Sequence, residues 1–363
     1  MLTYLTPGPS ELYFTVEQHV KTALRAKVGS ISHRSTEFKK IYAHTVEQLR
    51  ILLDIPEEYV VVFSSSANEI WERMLQNCVE NQSFHFVNGA FSKKFLSFAE
   101  QLQLKTTSEE VGWGEGFNTE LVKVPAESEL IALALNETST GVRFPTEDLK
   151  AIRDQNPEKL LAVDATSALP TFELDIAQTD ATYFSVQKGF GLPAGLGVWI
   201  ASPRMIERAA TLETQGKVTG TYHRLTQWAK RSLENQTPET PNVLGIYLLG
   251  KVCEDMNTKG REQIQREAKY KATLLYHTLN GHPFLRPFVK EKKWQSPTVI
   301  VAELTNDNHG VSDWIKYIEK NHGLLLGTGY GKYKSQHLRI ANFPTHSKER
   351  IEQLSDILNA AFN

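Results

Sequence analysis

The 363-residue chain is poor in cysteine: Cys78 and Cys253 each stand alone, so neither a disulfide framework nor a thiolate metal site can be assembled from them. Such usage suits a reducing compartment. The chain also lacks an excess of one charge. Forty Lys plus Arg face 42 Asp plus Glu, a formal net charge of -2, which argues against nucleic acid as a partner. Long hydrophobic runs are missing too, none approaching the roughly 18 apolar residues of a spanning helix. The first residues, MLTYLTPGPSELYF, have no positively charged start leading into an apolar stretch. The expectation is a cytoplasmic protein that meets no membrane. The 11 histidines show neither HExxH nor any paired metal spacing, so no metal is expected. What is present is 40% hydrophobic residues, enough for a sizeable core, over a length that predicts about two domains.

Residues 1–15 read as an arm, because the prolines and glycine of TPGPS forbid a helix, and the arm is expected to join the small domain and the active site. Apolar residues recurring every four positions (Val16, Val20, Leu24, Val28) predict an amphipathic helix, and Phe38 to Leu53 predict a second. Short apolar runs follow at 59–63, 84–87, 131–136, 160–164, 182–186 and 196–200, separated by helical or loop segments. Continuous rather than alternating runs suit strands buried on both faces. The predicted fold class is therefore α/β, a large domain over 16–255 with a mainly parallel sheet sandwiched by helices. Beyond a boundary near 255, a long charged helix and a few strands predict a smaller α+β C-terminal domain over 256–363.

In open sheets of this kind ligands gather at the carboxyl ends of strands. There the segment SVQKGFGLPAGLG places Lys188 at the end of a buried strand, before a glycine-rich loop. Burial favours a neutral amine, which can condense with a carbonyl, although a lysine at a strand end can also simply snorkel to solvent. Asp164 closes the strand one crossover earlier, and a parallel sheet brings it to the same edge. An acid and a lysine so placed could be a plain salt bridge. They are also what pyridoxal phosphate requires: an imine-forming lysine and a carboxylate that keeps the pyridine nitrogen protonated. The turn SSSAN, between strand and helix, offers N–H groups and a helix dipole to a phosphate, though a serine N-cap is an equal reading. GTGYGK (327–332) lacks both the third glycine of a dinucleotide fingerprint and the Ser or Thr of a P-loop.

Seven segments in order, TPGPS, ISHRSTEF, NETSTGV, VDATSALP, SVQKGFGLPAGLG, TPETPN and LRIANF, make the chain resemble the fold-type I, class V pyridoxal-phosphate aminotransferases. Within that group it is most similar to the phosphoserine aminotransferases. The resemblance implies transamination between a small amino acid and a 2-oxo acid, in the first instance phosphoserine and 2-oxoglutarate, a step of serine biosynthesis. It makes Lys188 the imine-forming and proton-carrying residue and Asp164 the partner of the ring nitrogen. Thr138 meets the phenolic oxygen, Phe91 stacks on the ring, and Gln187, Ser66 and Ala67 hold the phosphate. Thr240 reaches that phosphate from a second subunit, which implies a homodimer with a shared active site. Arg339 anchors the substrate carboxylate, and His33 with Arg34 matches the pair that meets the substrate phosphate.

The chain departs from the phosphoserine pattern in having SSSAN where a glycine-rich turn is usual, Phe91 where a tryptophan is usual, and Gly189 after the lysine. QKG with a downstream PAG also resembles the alanine-glyoxylate and serine-pyruvate branch, which is the alternative substrate reading. A cysteine desulfurase would need a mobile cysteine near Arg339, and none lies there in sequence. A non-catalytic protein that merely binds pyridoxal phosphate is the alternative of another class.

Overall fold

The computed structural model describes residues 2–305 and 309–361. Its larger sheet has seven strands in the order Val60–Ser64, Gly197–Ala201, Ala181–Ser185, Leu160–Asp164, Leu130–Ala134, Gln82–Val87 and Lys105–Glu110. Gly197–Ala201 runs antiparallel to both neighbours; the remaining pairs are parallel. The six apolar runs are six of these strands. Their continuity has a direct cause. Alternate residues feed two different cores: Val61, Phe63, Ile131, Leu133, Leu161 and Val163 one face, Val60, Val62, Leu130, Ala132, Leu160 and Ala162 the other. The first core is closed by helices Thr36–Leu53 and Val243–Lys259, the second by Ala67–Cys78, Pro203–Thr214 and Leu225–Leu233.

The smaller sheet is mixed, in the order Thr3–Leu5, Leu324–Thr328, His337–Ala341, Val299–Leu304 and Leu285–Pro287. Ile300, Ala302, Leu338 and Ile340 pack under helices Arg261–Gly281, Val311–His322 and Lys348–Ala360. Strand alternation sends Val301 and its register partner Arg339 to the opposite face, where Val301 approaches Gly141 and Arg339 bonds Thr138. The small sheet thus presents an arginine to the carboxyl ends of the large one. Helix Val243–Lys259 runs unbroken past position 255, and the chain turns at Gly260, whose φ of +87° is comfortable only for glycine.

One local expectation fails for an identifiable reason, and one strand carries no sequence signal. The first helix stops at Arg25, Lys27 is left-handed, and Leu24 is 67% exposed, so the four-residue spacing does not define one buried stripe. Strand Lys105–Glu110 is polar because it lies at the sheet edge, and it carries no apolar signal. Thr3–Leu5 of the arm pairs in parallel with Leu324–Leu326 of the small sheet.

Candidate active site

Beyond strand Ala181–Ser185 the chain turns back on itself, with Val186 donating to the Leu196 carbonyl at 3.2 Å, and Lys188 sits in the bend. Its side chain is only 7% exposed, and Nζ donates to Thr138 Oγ1 at 2.8 Å. Burial lowers the lysine from 10.5 to about 8, while the charges of Asp164 and Glu137 pull it back up and that of Arg339 pushes it further down. The arm forms part of the wall. At Gly8, φ +139°, an added Cβ would stand 2.8 Å from Lys188 Cε, so only glycine fits against the lysine stem.

Asp164 ends the neighbouring strand and faces the same cavity of about 170 Å³ as Lys188. Burial raises its carboxyl; bonds from Thr166 and the Lys188 charge oppose that rise. Opposite stands a knot of hydroxyls and amides. Thr138 Oγ1 donates to Ser167 Oγ at 2.8 Å, Ser167 Oγ donates to the Asn136 carbonyl at 3.0 Å, and Asn136 Nδ2 donates back to Ser167 Oγ at 2.8 Å. Glu137, fully buried, accepts from the Ser92 and Ser139 hydroxyls and from the N–H groups of Phe91, Ser92 and Ser139. This carboxylate at the N-terminus of helix Ala90–Gln101 fixes the helix that carries Phe91.

The three serines before helix Ala67–Cys78 are all engaged locally. Ser64 Oγ donates to the Ser66 carbonyl, Ser65 Oγ to Glu69, and Ser66 Oγ caps the helix by accepting from Glu69 N–H. The hydroxyl-rich turn is thus accounted for by capping, and what remains for an anion is the helix N-terminus, where Ala67 and Asn68 line the cavity. Gln187 and Trp71 line it too, and Gln187 Oε1 and Trp71 Nε1 are buried without partners.

Arg339 closes the cavity from the small sheet. Nε donates to the Thr328 carbonyl at 2.7 Å and one terminal nitrogen to the Thr138 carbonyl at 3.2 Å, leaving donors of the fork for an anion. Tyr330 lies between, its ring 5.4 Å from the guanidinium and 5.3 Å from the Phe91 ring, and Lys188 Nζ is 5.1 Å from the centre of Phe91.

Of the residues expected from sequence, the cavity brings together Lys188, Asp164, Thr138, Phe91, Gln187, Ala67 and Arg339, with Ser66 capping the adjoining helix. His33, Arg34 and Thr240 are not among its walls. Thr240 borders a separate hollow of about 360 Å³ with Ser65, Glu69 and His223. Arg34 is spent on the neighbouring turn, donating to Gln236 Oε1 and to the carbonyls of Thr237 and Pro238 at 2.7–2.8 Å. The sequence reading missed Gly8, Asn68, Trp71, Asn136 and Tyr330. Asn136 lay in a motif already singled out; Tyr330 lay in the glycine-rich segment set aside as a false nucleotide motif.

Among the described residues no group of three or more His, Cys, Asp or Glu could hold a metal, and no helix is long and apolar enough to cross a membrane. Both cysteines are fully buried, and burial pushes their thiols up. The donor set fits pyridoxal phosphate: a lysine inclined to neutrality, an acid lacking a strong cationic partner, a helix N-terminus and an aromatic face converge on one space, with orphaned polar atoms in its lining.

The class-V aminotransferase family model matches residues 118–336. The crystal structure of a phosphoserine aminotransferase from Cytophaga hutchinsonii is 44% identical, covering 100% of this chain and 99% of its own, with a TM-score of 0.97. The phosphoserine aminotransferase of Rhodococcus opacus (strain B4) is 29% identical over 91% of this chain and 87% of its own. An alanine–glyoxylate aminotransferase from Nostoc sp., 21% identical over 100% of this chain and 96% of its own, shares the fold with a TM-score of 0.81. With a matched family model over more than half its length and a lysine, an acid and an arginine meeting at the ends of a parallel sheet, the chain belongs to the class-V aminotransferases, enzymes that depend on pyridoxal phosphate.

Proposed function

We propose that this aminotransferase moves an amino group between phosphoserine and 2-oxoglutarate. The observation that carries the reading is the full-length, 44% identical likeness to a phosphoserine aminotransferase. The site supports the chemistry. When bound, the cofactor supplies an electron sink for the carbanion at the substrate Cα.

The chain's residues do the rest. Arg339, held at Nε by the Thr328 carbonyl, offers its remaining donors to the substrate carboxylate, and so fixes the Cα–H bond relative to Lys188. Lys188, with its pKa brought near the working range by burial, takes the proton from Cα as a neutral amine and returns one on the other side of the reaction. Asp164 supplies the negative charge that keeps a ring nitrogen protonated. Phe91 gives the ring a flat apolar face, and Thr138 a hydroxyl beside the lysine nitrogen. Gln187, Ala67 and the N-cap Ser66 edge the phosphate end.

Thr240 lies outside the Lys188 cavity and borders a separate hollow, which supports the reading that it serves the cofactor phosphate of a second subunit in a homodimer with shared sites. Arg34 braces the 236–238 turn beside Thr240, and His33 and Arg34 reach a substrate phosphate from the same side of the partner. The division of labour matches two domains, the large sheet for the cofactor and the small sheet for the carboxylate.

One observation favours a second reading. The donors of Arg34 that bond within its own chain are unavailable to a phosphate unless the turn shifts. A non-phosphorylated donor of the alanine or serine type, with glyoxylate or pyruvate as acceptor, needs no such shift. The discriminating experiment mixes cofactor-loaded enzyme with single amino acids and follows the loss of visible absorbance. Phosphoserine should react much faster than serine or alanine. Faster conversion by alanine would install the second reading.

A further inference from the structure

Helix Ala90–Gln101, which carries Phe91, begins without a cap of its own. Its N-cap is Gly89, and the reason is space: a Cβ there would stand 2.4 Å from Glu137 Cγ and 2.5 Å from Ser139 Oγ. The cap comes instead from the segment 137–139. Ala90 N–H donates to Ser139 Oγ at 2.9 Å, Phe91 N–H to Glu137 Oε1 at 3.4 Å and Ser92 N–H to Glu137 Oε2 at 2.9 Å; Lys93 N–H then makes the first bond within the helix, to the Gly89 carbonyl. The hydroxyls of Ser92 and Ser139 donate to the same carboxylate at 2.9 and 2.6 Å, and Ser139 N–H does so at 3.0 Å. A charged acceptor makes each of these bonds stronger than a neutral one would.

The clamp stands behind the cavity rather than in it. Phe91, Asn136 and Thr138 line the space around Lys188, whereas Glu137, Ser92 and Ser139 do not. A group that fills the cavity therefore meets the clamped residues and leaves the clamp in place. The charge of Glu137 reaches further than its bonds. Burial is the strongest influence on the ionisation of Lys188, Asp164 and Arg339, and against that background Glu137 favours the protonated form of each.

We propose that Glu137 is a positioning residue: its carboxylate locks the helix that carries Phe91 to the segment that carries Thr138, so that the stacking ring and the hydroxyl beside the lysine keep one fixed spacing, and it sets a second negative charge behind the lysine nitrogen. The other titratable groups facing that nitrogen are Asp164 from the large sheet and Tyr330 and Arg339 from the small domain. The inference rests on the cofactor reading of the cavity and holds whichever amino acid is the substrate.

The test is a double-mutant cycle on the cofactor-loaded enzyme without substrate, read by the rate of cofactor release and by the circular dichroism of the visible band. Glu137→Asp keeps the charge but is one methylene shorter and cannot hold both ends of the clamp. Release should quicken about threefold to tenfold, the scale of one aromatic contact, and the dichroic band should change. In a Phe91→Leu background the same substitution should add nothing further. A purely structural role would lower the melting temperature and make the two losses multiply, which would overturn the clamp. Should Glu137→Asp not fold, Ser139→Ala, which removes a donor to the carboxylate and the acceptor of Ala90 N–H, carries the same cycle. Glu137→Gln removes the charge, and the pH midpoint of the visible band, which reports the nitrogen contributed by Lys188, should fall by about half a pH unit or more while that of Glu137→Asp stays put. Equal midpoints in Glu137→Gln and wild type would overturn the electrostatic part. A wild-type enzyme loaded with cofactor but lacking any visible band would sink the cofactor reading itself; a band with multiplying losses would sink the inference alone.

Discussion

Among the described residues two lysines are buried, and they make opposite use of it. Lys188 lies at the carboxyl end of the large sheet; Lys271, 1% exposed, lies in helix Arg261–Gly281 behind the small one. Burial lowers both from 10.5 to about 8. Their surroundings differ. Lys271 donates to the carbonyls of Phe343 and His346 at 3.1 and 2.7 Å, fixed groups that consume it as a structural tie. Lys188 donates to a single hydroxyl, and an acid, an aromatic face and an arginine share its cavity. A perturbed amine is therefore no marker of chemistry by itself. What separates the two is free space in front of the nitrogen and a complementary acid across it.

The largest effect that could break this contrast is on turnover. Lys188→Ala should cut transamination by at least about a thousandfold, the scale of losing a positioned acid–base group, whereas Lys271→Met should stay within a few-fold of wild type. Steady-state rates for the pair decide it, and comparable losses would erase the distinction. Next in size, Arg339→Ala removes the anchor facing Lys188 across the cavity. The apparent affinity for amino acid should weaken by about 2–5 kcal/mol, the cost of a buried carboxylate left unpaired. Unchanged half-saturation would take Arg339 out of the site.

The smallest effect concerns stability, where the sign follows from linkage. Each folded lysine holds its proton less tightly than the unfolded chain does, so the unfolded state binds more protons between about pH 8 and 10.5. The burial penalty is fully present below pH 8, and stability should rise with pH through that window. In cofactor-free protein at pH 7, Lys188→Met should relieve a penalty on the order of 3 kcal/mol at most. Lys271→Met should gain little or lose stability, because it leaves two carbonyls without a donor at roughly 1–3 kcal/mol each. Equal gains in denaturant midpoint for the two variants would show that the carbonyl ties contribute nothing.

The same contrast shows what could be read from sequence. Lys188 and Asp164 were legible because both terminate apolar runs, and a parallel sheet sends all such ends to one edge. Lys271 sits in a charged helical stretch, REQIQREAKYKATLLYHTLN, that gives no sign of which lysine is buried. The six buried strands were legible because residues on both faces are apolar; the edge strand Lys105–Glu110 was not, having only one partner strand and a polar sequence. Around the cavity, Thr138 and Gln187 belonged to recognisable segments. Gly8 lies in TPGPS and Tyr330 in GTGYGK, but neither segment signals that it reaches the cavity, because the two come from opposite ends of the chain and meet there through the pairing of the arm with the small sheet. The signal for Glu137, within NETSTGV, is a glutamate placed directly after an apolar strand.

That pairing also sets a mechanical limit. The arm is stitched to the small sheet at Leu5, through its register with Leu326, and to the lysine bend at Ser10, whose N–H donates to the Gln187 carbonyl at 3.1 Å. Five residue steps separate the two stitches, and a fully stretched chain of that length spans only about 17 Å. As long as both stitches hold, the two sheets are leashed to each other beside the reactive amine, and any gape between them wider than that tether has to begin by tearing one of them out.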